Sequence, residues 1–245
     1  MSTPQKLNIL VLGGQSSIGR LFLSQVEPND FNIYATCSNS ELLAGEILKH
    51  NWYELNLKSQ DSIDLFLLNT QNISFDGIIT LIGKTSNLEL DSSNTLISNY
   101  LETYIFRYSY LIREIVKRIN TNGKENVLFI NISSRSAIYG SLDPFYSMAK
   151  SSIHALIKSL NRIYSPRIRF FNLVPGLLKN STMFFNMHTS LRIDHELRAG
   201  GNLMTAEEFA LFLYRFVSDN CRGSNFEIGY EVDIKVGPQY KSELL

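Results

Sequence analysis

Leu7-Asn8-Ile9-Leu10-Val11-Leu12-Gly13-Gly14-Gln15-Ser16-Ser17-Ile18-Gly19 is the stretch whose reading decides the fold. Its first six residues form a nearly unbroken apolar run, the pattern of a strand covered on both faces. The rest are mostly small or turn-forming, and the helical spacing Leu21, Phe22, Val26 follows. Strand, glycine-rich turn and helix in that order make a phosphate cradle. Small residues let the backbone approach a pyrophosphate, and the helix start offers unbonded N–H groups and the positive end of a dipole. A tight turn without a ligand would use the same residues; the position directly behind the first strand favours the cradle.

Outward from that stretch the chain alternates between strand and helix patterns. Phe31 to Cys37 reads as the second strand, and Ser38-Asn39-Ser40 opens a helix from Glu41 to Lys49. Trp52 to Leu57 is a third strand, Ser59 to Thr70 a helix, and Phe75 to Gly83 a fourth strand of the fully buried type. Asp91 to Asn120 carries a long helical stripe through Leu96, Tyr100, Tyr104, Tyr108, Leu111 and Ile115. The remaining strands are Asn126 to Ile132, Ile168 to Val174 and Phe226 to Val236. Leu177 to Leu203 has no clean period and reads as a loop long enough to serve as a lid. Thr205 and Glu208 form a capping box ahead of the helix Ala206 to Val217. Seven strands alternating with helices predict an α/β fold, a Rossmann-like doubly wound parallel sheet with helices on both faces. The expected organisation is one domain over residues 1–245 with a substrate loop at about 177–204.

Composition narrows the function. Lys plus Arg and Asp plus Glu both number 23, so no overall field draws nucleic acid or an anionic membrane. A small neutral or mixed-charge ligand is the expectation. The N-terminus has no leader-like sequence and no apolar run reaches a membrane span, which reads as cytoplasmic. The two cysteines, Cys37 and Cys221, are read as reduced thiols. His195-Glu196 lacks a second histidine at the spacing of a zinc-protease helix, the four histidines are scattered, and no Gly-x-Ser-x-Gly elbow is present, so neither a metal site nor a serine hydrolase is expected.

The chemistry-bearing stretch is Asp143-Pro144-Phe145-Tyr146-Ser147-Met148-Ala149-Lys150. Asp143 can cap a helix and Pro144 fits its first position. At a separation of four, Tyr146 and Lys150 share one face. A nearby ammonium favours the phenolate and lowers its pKa from about 10, and such a tyrosine can exchange a proton with a substrate oxygen. Chance alone supplies roughly half such a pair in a chain this rich in Tyr and Lys, so the pair needs partners. Ser133-Ser134 supplies hydroxyls at the carboxyl end of the fifth strand, where open α/β sheets bind ligands.

Together these motifs resemble the short-chain dehydrogenase/reductase family, in its compact branch, over Leu7 to Gly237. Tyr146-Ser-Met-Ala-Lys150 is similar to the family's Tyr-x-x-x-Lys signature, Asn99 to its helical asparagine, and Ile168 to Gly176 followed by Thr182-Met183 to the stretch that closes over the nicotinamide. Fixed spacing to Tyr146 selects Ser133 as the family serine, whereas aligning Gly140 selects Ser134; Ser134 is expected. Several positions depart from the family. Ser16 and Ser17 stand where its middle glycine usually is, and Thr80-Leu81-Ile82-Gly83 keeps only the last glycine of Asn-Asn-Ala-Gly. Asn56 replaces an aspartate, and the segment from Gly83 to Asn99 looks short, opening one wall of the cleft.

The resemblance implies a hydride exchange between a nicotinamide and a carbonyl or secondary alcohol. Tyr146 would be general acid or base, Lys150 its tuner, Ser134 the holder of the substrate oxygen, and Asn99 the anchor of a water. Cofactor contacts are implied for Gly13, Gln15, Ser16, Ser17, Ile18, Ser38, Asn56, Leu57, Gly83, Tyr146, Lys150, Pro175, Gly176 and Leu178. Ser38 would face the adenosine ribose; with no carboxylate there to repel a 2′-phosphate, NADP(H) is slightly preferred, with NAD(H) possible. Met183, Phe184, Phe185 and Tyr139 offer an apolar wall, and Arg192, His188 and Arg198 offer cations; packing and surface would use the same residues. A homodimer or homotetramer is implied. The alternative is a catalytically weak dinucleotide-binding regulatory or assembly protein on the same fold.

Overall fold

Ile9, Leu10, Val11 and Leu12 have no solvent exposure. Ile9 and Val11 join one core with Phe22, Ile33, Phe209 and Leu213, while Leu10 and Leu12 join another with Phe66, Ile112, Ile157 and Phe170. A strand whose alternate side chains enter two different cores must lie in a sheet covered on both sides. The computed structural model describes residues 6–27, 29–39, 49–187, 189–198, 201–222 and 233–236.

The strands are β1 (Leu7–Leu12), β2 (Phe31–Cys37), β3 (Asn51–Glu54), β4 (Gly77–Thr80), β5 (Val127–Ile132), β6 (Ile168–Pro175) and β7 (Asp233–Val236). They form one seven-stranded sheet in the order β3-β2-β1-β4-β5-β6-β7, with every pairing parallel. Strand order reverses between β1 and β4, so the crevice beyond their carboxyl ends is the topological switch point, where doubly wound sheets take their ligands. The helices are α1 (Ser17–Gln25), α2 (Gln60–Asn69), α3 (Asn94–Leu101), α4 (Tyr108–Thr121), α5 (Ser136–Tyr139), α6 (Pro144–Tyr164), α7 (Thr182–Asn186), α8 (Thr189–Arg198) and α9 (Ala206–Arg222). The cores seat α1 and α9 on one face and α2, α4 and α6 on the other. None of the described helices is long and apolar enough to cross a membrane.

Local chemistry sets most boundaries. Ser16, Ser59, Ser93 and Asp143 each accept a backbone N–H of the helix they start, and Pro144 takes the first position of α6. Thr205 and Glu208 make the expected reciprocal cap on α9. Five segments differ from the sequence reading. β3 and β4 are shorter than expected: Leu55, Leu57 and Phe75 are apolar because they are buried in a core, not because they extend the ladder. The long helix is interrupted by a π turn, Glu102–Arg107, at whose start the Thr103 hydroxyl bonds the Asn99 carbonyl at 2.8 Å. The supposed loop after Leu177 contains α7, capped by Ser181, and α8. Finally, α5 was not anticipated. The predicted helix from Glu41 and the first part of the last strand lie outside the described residues, as do His188 and Gly200.

Candidate active site at the sheet switch point

The glycine turn is packed too tightly for side chains at two of its positions. Gly13 has φ +84°, and a Cβ on Gly19 would lie 2.5 Å from the Gly14 carbonyl oxygen. Gly19 therefore lets α1 start against the turn, with Ser16 capping through the Gly19 N–H at 3.0 Å. The first amides of α1 adjoin the glycine turn and, as at any helix start, lack acceptors within the helix, the arrangement that suits a pyrophosphate. Ser17, at the family's middle-glycine position, accepts the Thr182 N–H at 3.4 Å. The start of α7 thus lies against the turn.

At the end of β2, Gln15 and Ser38 hold one another. Gln15 Nε2 donates to Ser38 Oγ at 2.6 Å, and the Ser38 N–H donates to Gln15 Oε1 at 3.0 Å. Both groups are neutral. After β3, the Asn56 carboxamide oxygen accepts the Lys58 N–H at 3.0 Å, shaping the turn into α2; Leu57 is buried beside it, and Arg107 donates to the Leu57 and Lys58 carbonyls.

The adjacent serines face opposite ways. Ser133 is buried, with its Oγ 2.8 Å from Nδ1 of His154. The Ser134 hydroxyl accepts the Ser136 N–H at 3.2 Å and lies near the Tyr146 phenol, where it opposes the rise of the tyrosine pKa. Of the two serines, Ser134 is the one near the tyrosine, while Ser133 is turned to His154. Lys150 lies one turn on, but its Nζ donates to the carbonyls of Ile82 at 3.0 Å and Ile132 at 2.9 Å. An ammonium has three donors, which leaves one for a ligand. A Cβ on Gly83 would sit 2.6 Å from that Nζ, so the lysine as placed leaves no room for a side chain there.

The expected depression of the tyrosine pKa is not found. Burial pushes Tyr146 up to about 12, with Ser134 opposing and the Asp143 carboxylate adding to the rise. Burial pulls Lys150 down to about 8, while its two carbonyl acceptors favour the charged form. Desolvation outweighs the attraction because the ammonium is turned to the strand ends rather than to the phenol.

Beneath the lysine runs a buried polar row that the sequence reading did not identify. Thr80, Asn131 and Asn172 are register partners across β4, β5 and β6. Thr80 donates to Asn131 Oδ1 at 2.9 Å, Asn131 to Asn172 Oδ1 at 2.8 Å, and Asn172 to the His154 carbonyl at 3.2 Å. It ties α6 to the strands whose ends carry the Lys150 acceptors. The signal available was one polar residue near the carboxyl end of each of three apolar strands.

Other expected residues are less converged. Asn99 is exposed at the end of α3, its carbonyl occupied by Thr103. Pro175 closes β6 and accepts the Arg135 N–H at 3.4 Å, and Leu178 is buried in the core beneath α9. Phe184 is buried, packs edge-on against Phe185 and lies under the Arg192 guanidinium at 5.5 Å. Tyr139 is exposed, with Arg135 over its ring. The Arg198 side chain lies outside the described residues. Among the described residues no group of three or more His, Cys, Asp or Glu side chains gathers for a metal, and Cys37 and Cys221 form no disulfide.

A doubly wound parallel sheet with a glycine turn at its switch point defines a dinucleotide-binding type of fold. More narrowly, the chain has the fold of the short-chain dehydrogenase/reductases. It superposes on the glucose/ribitol dehydrogenase-type member from Brucella melitensis with a TM-score of 0.76 at 15% identity, covering 96% of this chain and 97% of that one. A dehydrogenase/reductase from Sinorhizobium meliloti gives 0.77 at 16% identity, covering 95% and 94%. A short-chain dehydrogenase from Leptospira borgpetersenii, solved with bound NAD+, gives 0.78 at 15% identity, covering 96% and 93%. No protein-family model and no curated protein sequence matches the chain.

Proposed function

We propose that the protein is an NAD(P)(H)-dependent oxidoreductase of the short-chain dehydrogenase/reductase type, acting on a carbonyl or secondary alcohol. The observation that carries this reading is Tyr146 near Ser134 and one helical turn before Lys150, on a doubly wound sheet with a glycine turn at its switch point. The fit to a dinucleotide rests on the turn at Gly13 and Gly19, which has no room for larger side chains. Ser16, Ser17 and Ile18 would line the pyrophosphate, Gln15 and Ser38 the adenosine ribose, and Asn56 and Leu57 the adenine. Gly83, Tyr146, Lys150, Pro175, Gly176 and Leu178 would line the nicotinamide end. When bound, that cofactor supplies or accepts the hydride. The neutral Gln15–Ser38 pair contains no carboxylate to repel a 2′-phosphate, which supports a slight preference for NADP(H) with NAD(H) also accepted.

Tyr146 is the proton donor to a carbonyl oxygen. Its phenol, held at about 12, carries its proton at neutral pH, the state required for reduction. Ser134 orients the same oxygen, and Lys150 holds the cofactor ribose with its remaining donor. Asn99 fixes a water on the route from Lys150 to solvent. The chain acts as one domain, with residues 177–204 forming the substrate lid, and works in the cytoplasm as a homodimer or homotetramer. The test is oxidation of NADPH and NADH against a panel of aldehydes and ketones: turnover on at least one supports the reading, and its absence across the panel overturns it.

A second reading, a dinucleotide-binding regulator with weak chemistry, is favoured by one observation: Lys150 is engaged by two strand-end carbonyls rather than by the phenol. It predicts tight dinucleotide binding without turnover.

A further inference from the structure

Asp143 makes more bonds than a helix cap requires. Its Oδ1 accepts the Tyr146 N–H at 2.9 Å, which is the cap, and also the Ser86 hydroxyl at 2.5 Å. Its Oδ2 accepts the Ser86 N–H at 2.7 Å and the Asn87 N–H at 3.4 Å. Ser86 Oγ in turn accepts the Leu88 N–H at 3.1 Å, and Asn87 adopts the left-handed conformation at φ 52°. The carboxylate is therefore the centre around which residues 86–88 fold. Two residues earlier, the Tyr100 hydroxyl donates to the Lys84 carbonyl at 2.6 Å, pinning the same segment to α3.

This segment has no helix or strand of its own between β4 and α3. It leaves Gly83, which lies against Lys150, and is held at Ser86 by a residue three positions before Tyr146. It consequently runs along the cleft beside both groups. We infer that Asp143 is a positioning residue for substrate: its carboxylate latches residues 84–88 to the start of α6 and so builds one wall of the cleft beside Tyr146. The inference rests on the oxidoreductase reading for its substrate, while the latch itself rests on the hydrogen bonds alone. It also revises the expectation of an open wall, because a short segment fastened at two points forms a fixed one. Charged acceptors make the stronger hydrogen bonds, so most of the hold is expected to reside in Asp143.

The experiment separates latch from cap. Asp143→Ser retains a good N-cap for Tyr146 but is too short to bond residues 86–87; Ser86→Ala removes one donor and leaves α6 untouched. Native-state amide exchange of Ser86 and Asn87, whose N–H groups bond the carboxylate, is expected to accelerate about tenfold or more in Asp143→Ser, and less in Ser86→Ala, with helix content unchanged. On a carbonyl accepted by the wild type, Asp143→Ser is expected to raise KM about tenfold while dinucleotide affinity stays the same. Unchanged protection in both folded variants overturns the latch. Faster exchange with unchanged KM overturns its role in the cleft. If the wild type turns over no carbonyl, the oxidoreductase reading fails by itself, and amide exchange still decides the latch.

Discussion

Ser133 Oγ lies 2.8 Å from His154 Nδ1, whereas the hydroxyl of the next residue, Ser134, accepts the Ser136 N–H at 3.2 Å and lies near the Tyr146 phenol. Two neighbours of one residue type thus have different surroundings, Ser133 buried and Ser134 half-buried. Ser134→Ala is expected to lower kcat by about a hundredfold, as loss of a donor to the reacting oxygen does, with little change in stability. Ser133→Ala should spare kcat and cost about 1 kcal/mol by removing the buried hydrogen bond to His154. Steady-state kinetics and urea titrations of the two variants check the assignment, and the reverse pattern would reassign the serine.

Gly83→Ala tests whether Lys150 must sit between two strand ends. The added Cβ would meet the end of a flexible side chain, 2.6 Å from both Cε and Nζ, so the lysine can swing aside at small cost. The expected outcome is a lowered melting temperature, because Gly83 has φ +158°, a conformation that L side chains rarely adopt, together with dinucleotide affinity reduced about tenfold, the loss of a charge-assisted hydrogen bond. Fluorescence titration with NADPH measures the second quantity.

The polar row makes a prediction about stability. Asn131→Leu removes the acceptor of Thr80 and the donor to Asn172, both fully enclosed. Each orphaned group costs about 1–3 kcal/mol. Asn172→Leu should also lose the tie to the His154 carbonyl. Denaturant unfolding of the two variants checks this; a loss within about 0.5 kcal/mol, as for an ordinary surface change, would contradict it.

Lys150 and Tyr146 affect stability oppositely as pH changes. Lys150 is held at about 8 instead of 10.5, so between those values the unfolded chain binds more protons, and this group's contribution to stability rises with pH. Tyr146 is raised from 10 to about 12, so the folded protein binds more protons there, and its contribution falls as pH rises through that window. Chemical denaturation between pH 8 and 10.5 should show a steeper rise for the wild type than for Lys150→Met. Parallel curves would place the lysine in an environment like water.

The strand boundaries at Leu7, Leu12, Phe31 and Cys37 were legible because apolar runs and turn residues coincide there, as was the α6 start at Asp143-Pro144. β3 and β4 were overextended because Leu55, Leu57 and Phe75 are buried without being in the ladder: burial and pairing give the same apolar signal. α7 and α8 were missed because their short, polar-faced patterns lack the period of a long core helix. Of the candidate site, Tyr146, Lys150 and the glycine turn could be read from spacing. The side-chain directions that separate Ser133 from Ser134, and that turn Lys150 to Ile82 and Ile132, depend on tertiary packing. The wall latched by Asp143 was invisible for the same reason, since Ser86 and Asp143 are far apart in sequence.

The most direct test of the central claim is turnover of an accepted carbonyl by Tyr146→Phe, with dinucleotide binding measured on the same preparation. The account predicts a fall in kcat of about a hundredfold or more with binding retained, because only the donated proton is lost. Wild-type turnover by Tyr146→Phe would contradict it.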